Sequence, residues 1–292
     1  MSDGERNPSF WETIPGYITA IGILLSGVAA LITALYTAGM IGGPTKPETS
    51  PTKAKVAQAG TVQPATPPVD KAEVQIQPVS KKEPPSPAKP KQGDVMIDSV
   101  TGMKLVYMPK GCFMMGSNNG DDDEKPAHKV CVDGFWMGKY EITQGQWQKI
   151  MGSNPAKYKK GDSYPVEQVS WNDTQKFLVK LKGKSSKSYQ LPTEAEWEYA
   201  CRANGSGKYC GGDNLDDLAW YRENSGKNTH PVGKKQANDF GLYDMSGNVW
   251  EWCADRYDAD YYSASPQDNP IGSSSGLKHS IRGGGWLNGP EY

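Results

Sequence analysis

The residues most able to do chemistry lie in one stretch, Gly241-Leu-Tyr-Asp-Met-Ser-Gly-Asn-Val-Trp-Glu-Trp252. Twelve residues hold two glycines, an amide, two acids and three aromatics, and no amphipathic period fits them. Glycines in such a stretch suggest backbone angles closed to other residues. A tight backbone beside a fixed carboxylate, Glu251, can wrap a hard cation with carbonyl and carboxylate oxygens. The competing reading is a buried aromatic turn. A second reactive set is the five cysteines. Cys112 and Cys131 bracket one loop, Cys201 and Cys210 bracket a glycine-rich one, and Cys253 is left over. Both pairs are spaced for local disulfides, and two bridges in a loop-rich domain suggest an oxidising compartment. Reduced, buried cysteines are the alternative. There is no Cys-x-x-Cys to suggest structural zinc, no nucleophile-elbow pattern and no phosphate loop.

The elements that must position these residues fall in the C-terminal part of the 292-residue chain. Residues 1–13 form a short tail. Residues 13–45 carry no charged side chain, and Ile14 to Gly43 is longer than the roughly 20 residues that span a bilayer as a helix. The tail has only Arg6 against Asp3, Glu5 and Glu12, and the apolar run is long. An uncleaved transmembrane helix over 14–43 therefore fits better than a signal peptide. Residues 44–93 hold eleven Pro and eight Lys with no aromatic residue. Such a segment cannot bury enough apolar surface to offset its ordering entropy, so it reads as a disordered linker. The lysines Lys46, Lys53 and Lys55 on the C-terminal flank of the helix vote for a cytoplasmic domain. The cysteines vote for a periplasmic or extracellular one, and carry more weight. A net charge of −1 gives no global drive toward nucleic acid.

Residues 94–292 hold eight of the nine Trp and all five Cys, enough for one sizeable core. Strand-like text runs over Leu105–Met108, Cys112–Met115 and Lys129–Tyr140. Three capping boxes then open helices. Thr143-Gln-Gly-Gln146 opens one ending at Gly152, Ser170-Trp-Asn-Asp173 one to Lys182, and Thr193-Glu-Ala-Glu196 one to about Ala203. Trp171, Thr174, Phe177, Leu178 and Leu181 share one face of the second, and the third should bury Trp197, Ala200 and Cys201. About ninety residues of turns and aromatics follow. The fold class is α+β with much irregular structure.

The landmarks then form an ordered series. They are Gly111-Cys-Phe-Met-Met-Gly116, Glu124-Lys-Pro-Ala-His128, Lys139-Tyr-Glu-Ile-Thr143, Pro165-Val-Glu-Gln-Val-Ser-Trp171, Leu191-Pro-Thr-Glu-Ala-Glu-Trp197-Glu-Tyr-Ala200, Pro231-Val-Gly233, Asn238, Gly241 to Trp252, and Arg282-Gly-Gly-Gly-Trp286. In this order they resemble the formylglycine-generating enzyme, or sulfatase-modifying-factor, family over about residues 103–288. The resemblance implies a C-type-lectin-like topology and structural calcium. By position, one calcium site would use backbone oxygens of Ser246, Gly247 and Val249 with the Glu251 carboxylate, assisted by Asn248. A second would map to Asn224 and Ser225, although its other ligands fall in a loop before Pro231 that is shorter here and lacks a matching Asp.

The resemblance breaks at the catalytic thiols. The family's enzyme oxidises a sulfatase cysteine with two copper-binding cysteines near its C-terminus, and thiolates suit that soft metal. Here the family's Ser position is Gly285 and the first Cys position is Asn288, while the second falls past Tyr292. No catalytic residue is assigned. The family's Arg-rich ending is also missing, which leads us to expect truncation and poor stability. A relative of the family, the sulfoxide synthase of ergothioneine biosynthesis, binds non-haem iron through histidines. The three here, His128, His230 and His279, could form a metal trio only if the fold gathers them. One reading is therefore a copper- or iron-dependent oxidoreductase acting on a protein cysteine or small thiol. Another is a binding module with a groove lined by Trp252, Gly285, Trp286 and Asn288, facing a peptide, protein or glycan. In a third, the segment after Trp286 is a variable ligand-binding surface. Retained fold with replaced thiols favours binding, since fold alone does not fix function.

Overall fold

The computed structural model describes residues 89–291. The tail at 1–13, the transmembrane helix expected over 14–43 and nearly all of the linker lie outside the described residues. No helix among the described residues is long and apolar enough to cross a membrane.

The elements are mixed and short, as an α+β reading requires. Strands β1 (Val95–Ile97), β2 (Lys104–Met108), β3 (Gly111–Met115), β4 (His128–Val132) and β5 (Phe135–Gly138) come first. Helices α1 (Gln144–Met151), α2 (Trp171–Lys182), α3 (Glu194–Arg202) and the single turn α4 (Leu215–Leu218) follow, then strands β6 (Glu251–Arg256) and β7 (His279–Arg282). These strands pair antiparallel with one another and make three small sheets, β1-β2-β5, β3-β4 and β6-β7.

The three capping boxes form as the sequence expects. Thr143, Ser170 and Thr193 each accept a backbone hydrogen bond from the residue three on, whose side chain bonds back to the cap. Each reciprocal pair satisfies two amides that the first helical turn leaves open. Helix α1 stops at Gly152, which takes the left-handed conformation at φ 85°. Phe177 and Leu181 of α2 are buried, and so are Trp197 and Ala200 of α3, while Trp171, Thr174, Leu178 and Cys201 are only partly covered.

Two stretches differ from the sequence reading. The run from Lys129 to Tyr140 is two strands that join different sheets: β4 pairs with β3, and β5 with β2. The chain turns at Asp133-Gly134, where a Cβ on Gly134 would collide with the Tyr107 hydroxyl. The aperiodic region after Ala203 also contains regular structure. Strands β6 and β7 pair Glu251 with Arg282 and Trp252 with Ile281, and a register shift before Arg256↔His279 breaks the alternation.

Strand β2 separates two apolar clusters, because adjacent strand residues face opposite ways. Leu105 packs with Trp147, Ile150, Phe177 and Leu181. Here the Trp147 and Phe177 rings stack at 4.9 Å. Val106 faces the other cluster, with Met108, Val130, Trp197, Leu242 and Cys253. Helix α3 is tied to β7 by charge. Arg282 reaches Glu198 at 2.6 Å and Glu194 at 3.4 Å, and Arg202 reaches Glu198 from the next turn at 2.6 Å. This fixes β6-β7, and with it the turn before β6 and the segment after β7.

Candidate functional site

The aperiodic segment before β6 owes its shape to left-handed backbone. Gly241, Asp244, Gly247 and Asn248 all have positive φ, from 58° to 83°. Gly247 has no alternative, since a Cβ there would meet the Trp220 carbonyl. The turn docks on the segment after β7 through two backbone bonds. The Gly247 amide donates to the Gly283 carbonyl at 2.6 Å, and the Trp286 amide to the Asn248 carbonyl at 2.8 Å. The last two signatures of the series thus form one unit.

Asn248 is its hub. The residue is completely buried. Its Nδ2 donates to Glu141 Oε2 at 2.7 Å and to the His230 carbonyl at 3.2 Å, and its Oδ1 accepts from the His230 amide at 3.0 Å. Glu141 Oε1 accepts from the Val249 amide at 2.9 Å. Glu141 was missed as a site residue by the sequence reading. Its only signal was its place in Lys139-Tyr-Glu-Ile-Thr143, one of the ordered landmarks.

Three carboxylates influence one another here. Burial drives Glu141 well up, and the charges of Asp244 and Glu251 push it further, against the bonds from Val249 and Asn248. Burial raises Asp244 to about 6, opposed by the Gly233 amide. Burial raises Glu251 to about 7, opposed by the Trp197 ring N–H, which donates to Oε2 at 2.8 Å. Asp244 Oδ2 takes the Gly233 amide, while the buried Oδ1 has no hydrogen-bond partner. An orphaned buried oxygen and an excess of buried acid fit a hard cation, which prefers oxygen ligands. Ser246, Gly247 and Val249 belong to the same turn, and Gly247 also pairs with Trp220 in an isolated parallel bridge. These donors are therefore chemically suited to the calcium the sequence suggests. Among the described residues no three His, Cys, Asp or Glu side chains converge as a metal cluster. A site of carbonyls with one carboxylate would not form such a cluster.

Asn224 and Ser225 serve the same junction. Asn224 Oδ1 accepts from the Tyr221 amide and Nδ2 donates to the Ala219 carbonyl, both at 3.0 Å. The Ser225 hydroxyl donates to the Trp286 carbonyl at 2.9 Å, and His230 Nε2 lies 2.7 Å from the Ser225 carbonyl.

Of the groove candidates, the fold brings Gly285, Trp286 and Asn288 together. Asn288 Oδ1 accepts from the Trp250 ring N–H at 3.0 Å, and the Asn288 carbonyl from the Arg222 amide at 2.9 Å. A Cβ on Gly285 would find Asn248 O, Asn288 Oδ1 and Trp250 Cδ1 at 3.4–3.5 Å, ordinary contact distances. Space therefore does not demand glycine at the family's serine position. The Trp286 ring meets Tyr158 edge-on at 5.3 Å. Trp250 and Leu287 are exposed beside them. Trp252 turns elsewhere: its ring N–H donates to the Val169 carbonyl at 3.1 Å.

The histidines are not gathered. His128 packs on Tyr262, His230 stacks on Trp220 and His279 on Trp171. Cys112–Cys131 and Cys201–Cys210 are disulfides, and Cys253 is free and buried. Burial pushes the Cys253 thiol well up, with the Glu194 charge adding to it, which opposes formation of a reactive thiolate.

Residues 91–292 match the profile of the sulfatase-modifying factor enzyme 1-like domain. A chaperone protein, LppX, of Paenibacillus barcinonensis is 34% identical over 205 residues, covering 51% of this chain and 70% of that protein. A formylglycine-generating enzyme of Streptomyces coelicolor is 37% identical over 145 residues, covering 44% of each chain, so the match spans less than half of that enzyme. Among solved structures, Treponema denticola variable protein 1 superposes with a TM-score of 0.61 at 27% identity, covering 68% of this chain and 89% of that one. With the motif series, the two joined signatures and a profile match over most of its length, the chain belongs to the sulfatase-modifying factor enzyme 1-like (FGE-sulfatase) domain family.

Proposed function

We propose that residues 94–292 act as an extracytoplasmic ligand-binding or accessory module without formylglycine-generating copper chemistry. A single-pass helix over 14–43 and the Pro-rich linker would tether it to a membrane. The observation that carries this reading is the setting of Asn288. The family's first thiol position is Asn288, whose side chain is bonded to Trp250. Among the described cysteines only the buried Cys253 is outside a disulfide. The lectin-like scaffold then presents Trp250, Trp286 and Leu287 toward a peptide, protein or glycan, using aromatic faces with polar edges. Relatives named as a chaperone and as a variable protein are compatible with such a role. Calcium would be structural, held by the carbonyls of Ser246, Gly247 and Val249 with Glu251. It would offset buried negative charge and lock the turn against the groove.

The test is incubation of the protein with a Cys-x-Pro-x-Arg peptide, copper and oxygen. No aldehyde should form on the peptide, by mass spectrometry with a carbonyl-reactive probe. Aldehyde above the no-enzyme control would replace this reading with an oxidoreductase. An Asn288→Asp variant should keep the fold while altering the groove, and serves as the control in any ligand screen.

A further inference from the structure

We propose that the Cys112–Cys131 bridge is a thiol–disulfide exchange site, separate from the groove, whose substrate is an external dithiol. The two cysteines face each other across β3 and β4. The Cys131 amide donates to the Gln267 carbonyl at 2.7 Å, and the Cys131 carbonyl accepts from the Asn269 amide at 2.8 Å. Both of its backbone groups thus point away from β3, so the cysteines form a non-hydrogen-bonded pair of the ladder. The β3-β4 bonds lie on either side of them and do not depend on the bridge.

The two sulfurs differ. Cys112 is exposed, on the same strand face as the half-exposed Met114 (54%), whereas Cys131 is 8% exposed. Gln267 Nε2 lies 3.8 Å from Cys131 Sγ and can donate to it. An incoming thiolate therefore has access to Cys112, and the sulfur that must leave has a waiting N–H donor and a clamped backbone. Exposed bridges are the exchange-prone ones, and the better-stabilised thiolate leaves faster. The second bridge has the opposite design. Cys201 is partly buried, Cys210 is 7% exposed, and Cys210 Sγ sits 3.1 Å from the Met245 carbonyl, which would repel a leaving thiolate.

The exchange proceeds in two displacements. A donor thiolate attacks Cys112 Sγ, the Cys112–Cys131 bond breaks, and its electron pair leaves on Cys131 Sγ beside Gln267. Cys131 takes a proton from water, and the donor now holds a mixed disulfide with Cys112. The donor's second thiol, deprotonated by solvent, attacks its own bridged sulfur and expels Cys112, which takes a proton. The donor dithiol loses two electrons and two protons to become a disulfide, and the domain gains both as two thiols. The same route reversed lets an external disulfide close the bridge.

The test treats the full chain with reduced glutathione, quenches with acid, alkylates the thiols and maps adducts by peptide mass spectrometry. Glutathione should appear on Cys112 and not on Cys131. The 112–131 bridge should open at least about tenfold faster than 201–210, at temperatures well below melting. Gln267→Ala should slow that opening severalfold and leave the second bridge unchanged. Cys131→Ser given oxidised glutathione should keep a persistent adduct on Cys112. Adducts on Cys131, equal opening rates for the two bridges, or opening only as the protein melts would overturn the proposal.

Discussion

Asn248 shows how one residue can look like a ligand and act as a joint. In the sequence it sits in a glycine turn beside a carboxylate, where an amide oxygen could help to hold a cation. In the fold its side chain makes three hydrogen bonds to Glu141 and His230, entirely away from water. Asn248→Ala leaves the Glu141 carboxyl without its shortest hydrogen bond and should cost about 2–3 kcal/mol, read as a lowered denaturant midpoint with unchanged slope. Asp98 is a second buried hub. Its Oδ1 accepts from the amides of Val100 and Thr101 and the Thr101 hydroxyl, and its Oδ2 from Ser185 and Tyr189. Burial alone would raise its pKa, but these bonds outweigh burial and hold it near 2, below the ordinary 3.8. A carboxylate depressed in the folded state stabilises above its unfolded pKa, and that stabilisation disappears as pH falls toward the folded value. Wild type should therefore lose stability between about pH 4 and pH 2 more steeply than Asp98→Asn, which is less stable at neutral pH. Parallel acid-melting curves for the two would remove Asp98 from this role.

At the scale of elements, the joint between α3 and β7 decides whether the turn and the groove segment meet. Glu198 is almost fully buried and stays ionised. Burial pushes its pKa up, and the charges of Arg282 and Arg202 more than reverse that. Arg282→Met removes one partner and leaves a buried carboxylate under-compensated, at a cost of about 3–5 kcal/mol. Adding Glu198→Gln should recover part of that loss. A double variant less stable than Arg282→Met would show that the pair is not the unit. This joint also marks the limit of what the sequence shows about elements. The helices were legible because Thr143, Ser170 and Thr193 announce their own starts through contacts three residues away. Strands β6 and β7 were not, because their pairing joins residues some thirty apart and is interrupted by a bulge. The single strand expected over 129–140 failed for a similar reason. Its break depends on Tyr107 standing over Gly134, a contact between distant residues.

At the scale of the whole molecule, the order of the motifs revealed the family, and the charges inside the fold did not show until the chain was folded. Asp244 and Glu251 share one signature, but Glu141 lies 103 positions before Asp244, so no local pattern joins it to them. Asp255 adds to the set: burial lifts it to about 7, and the Glu194 charge adds to the rise against the Glu194 amide, which donates to it at 2.9 Å. The sign of the resulting pH dependence is the reverse of that for Asp98. A carboxyl raised in the folded state favours folding below its unfolded pKa, and that contribution is lost as pH climbs through the folded value. With Asp244 near 6 and Glu251 and Asp255 near 7, the metal-free protein should melt at progressively lower temperature as pH rises from about 5 to 8. Calcium should change that slope, because a bound cation needs Glu251 ionised and binds more tightly as the proton leaves. In calcium the melting temperature should hold level or rise over the same range, while Asp255→Asn should flatten part of the fall in chelator. Glu251→Ala should abolish the difference between chelator and calcium at pH 8. If chelator and calcium give the same curve for wild type, the turn before β6 is a buried acidic joint without a cation. A melting temperature that rises with pH in chelator would mean that these carboxyls do not govern the stability of the fold.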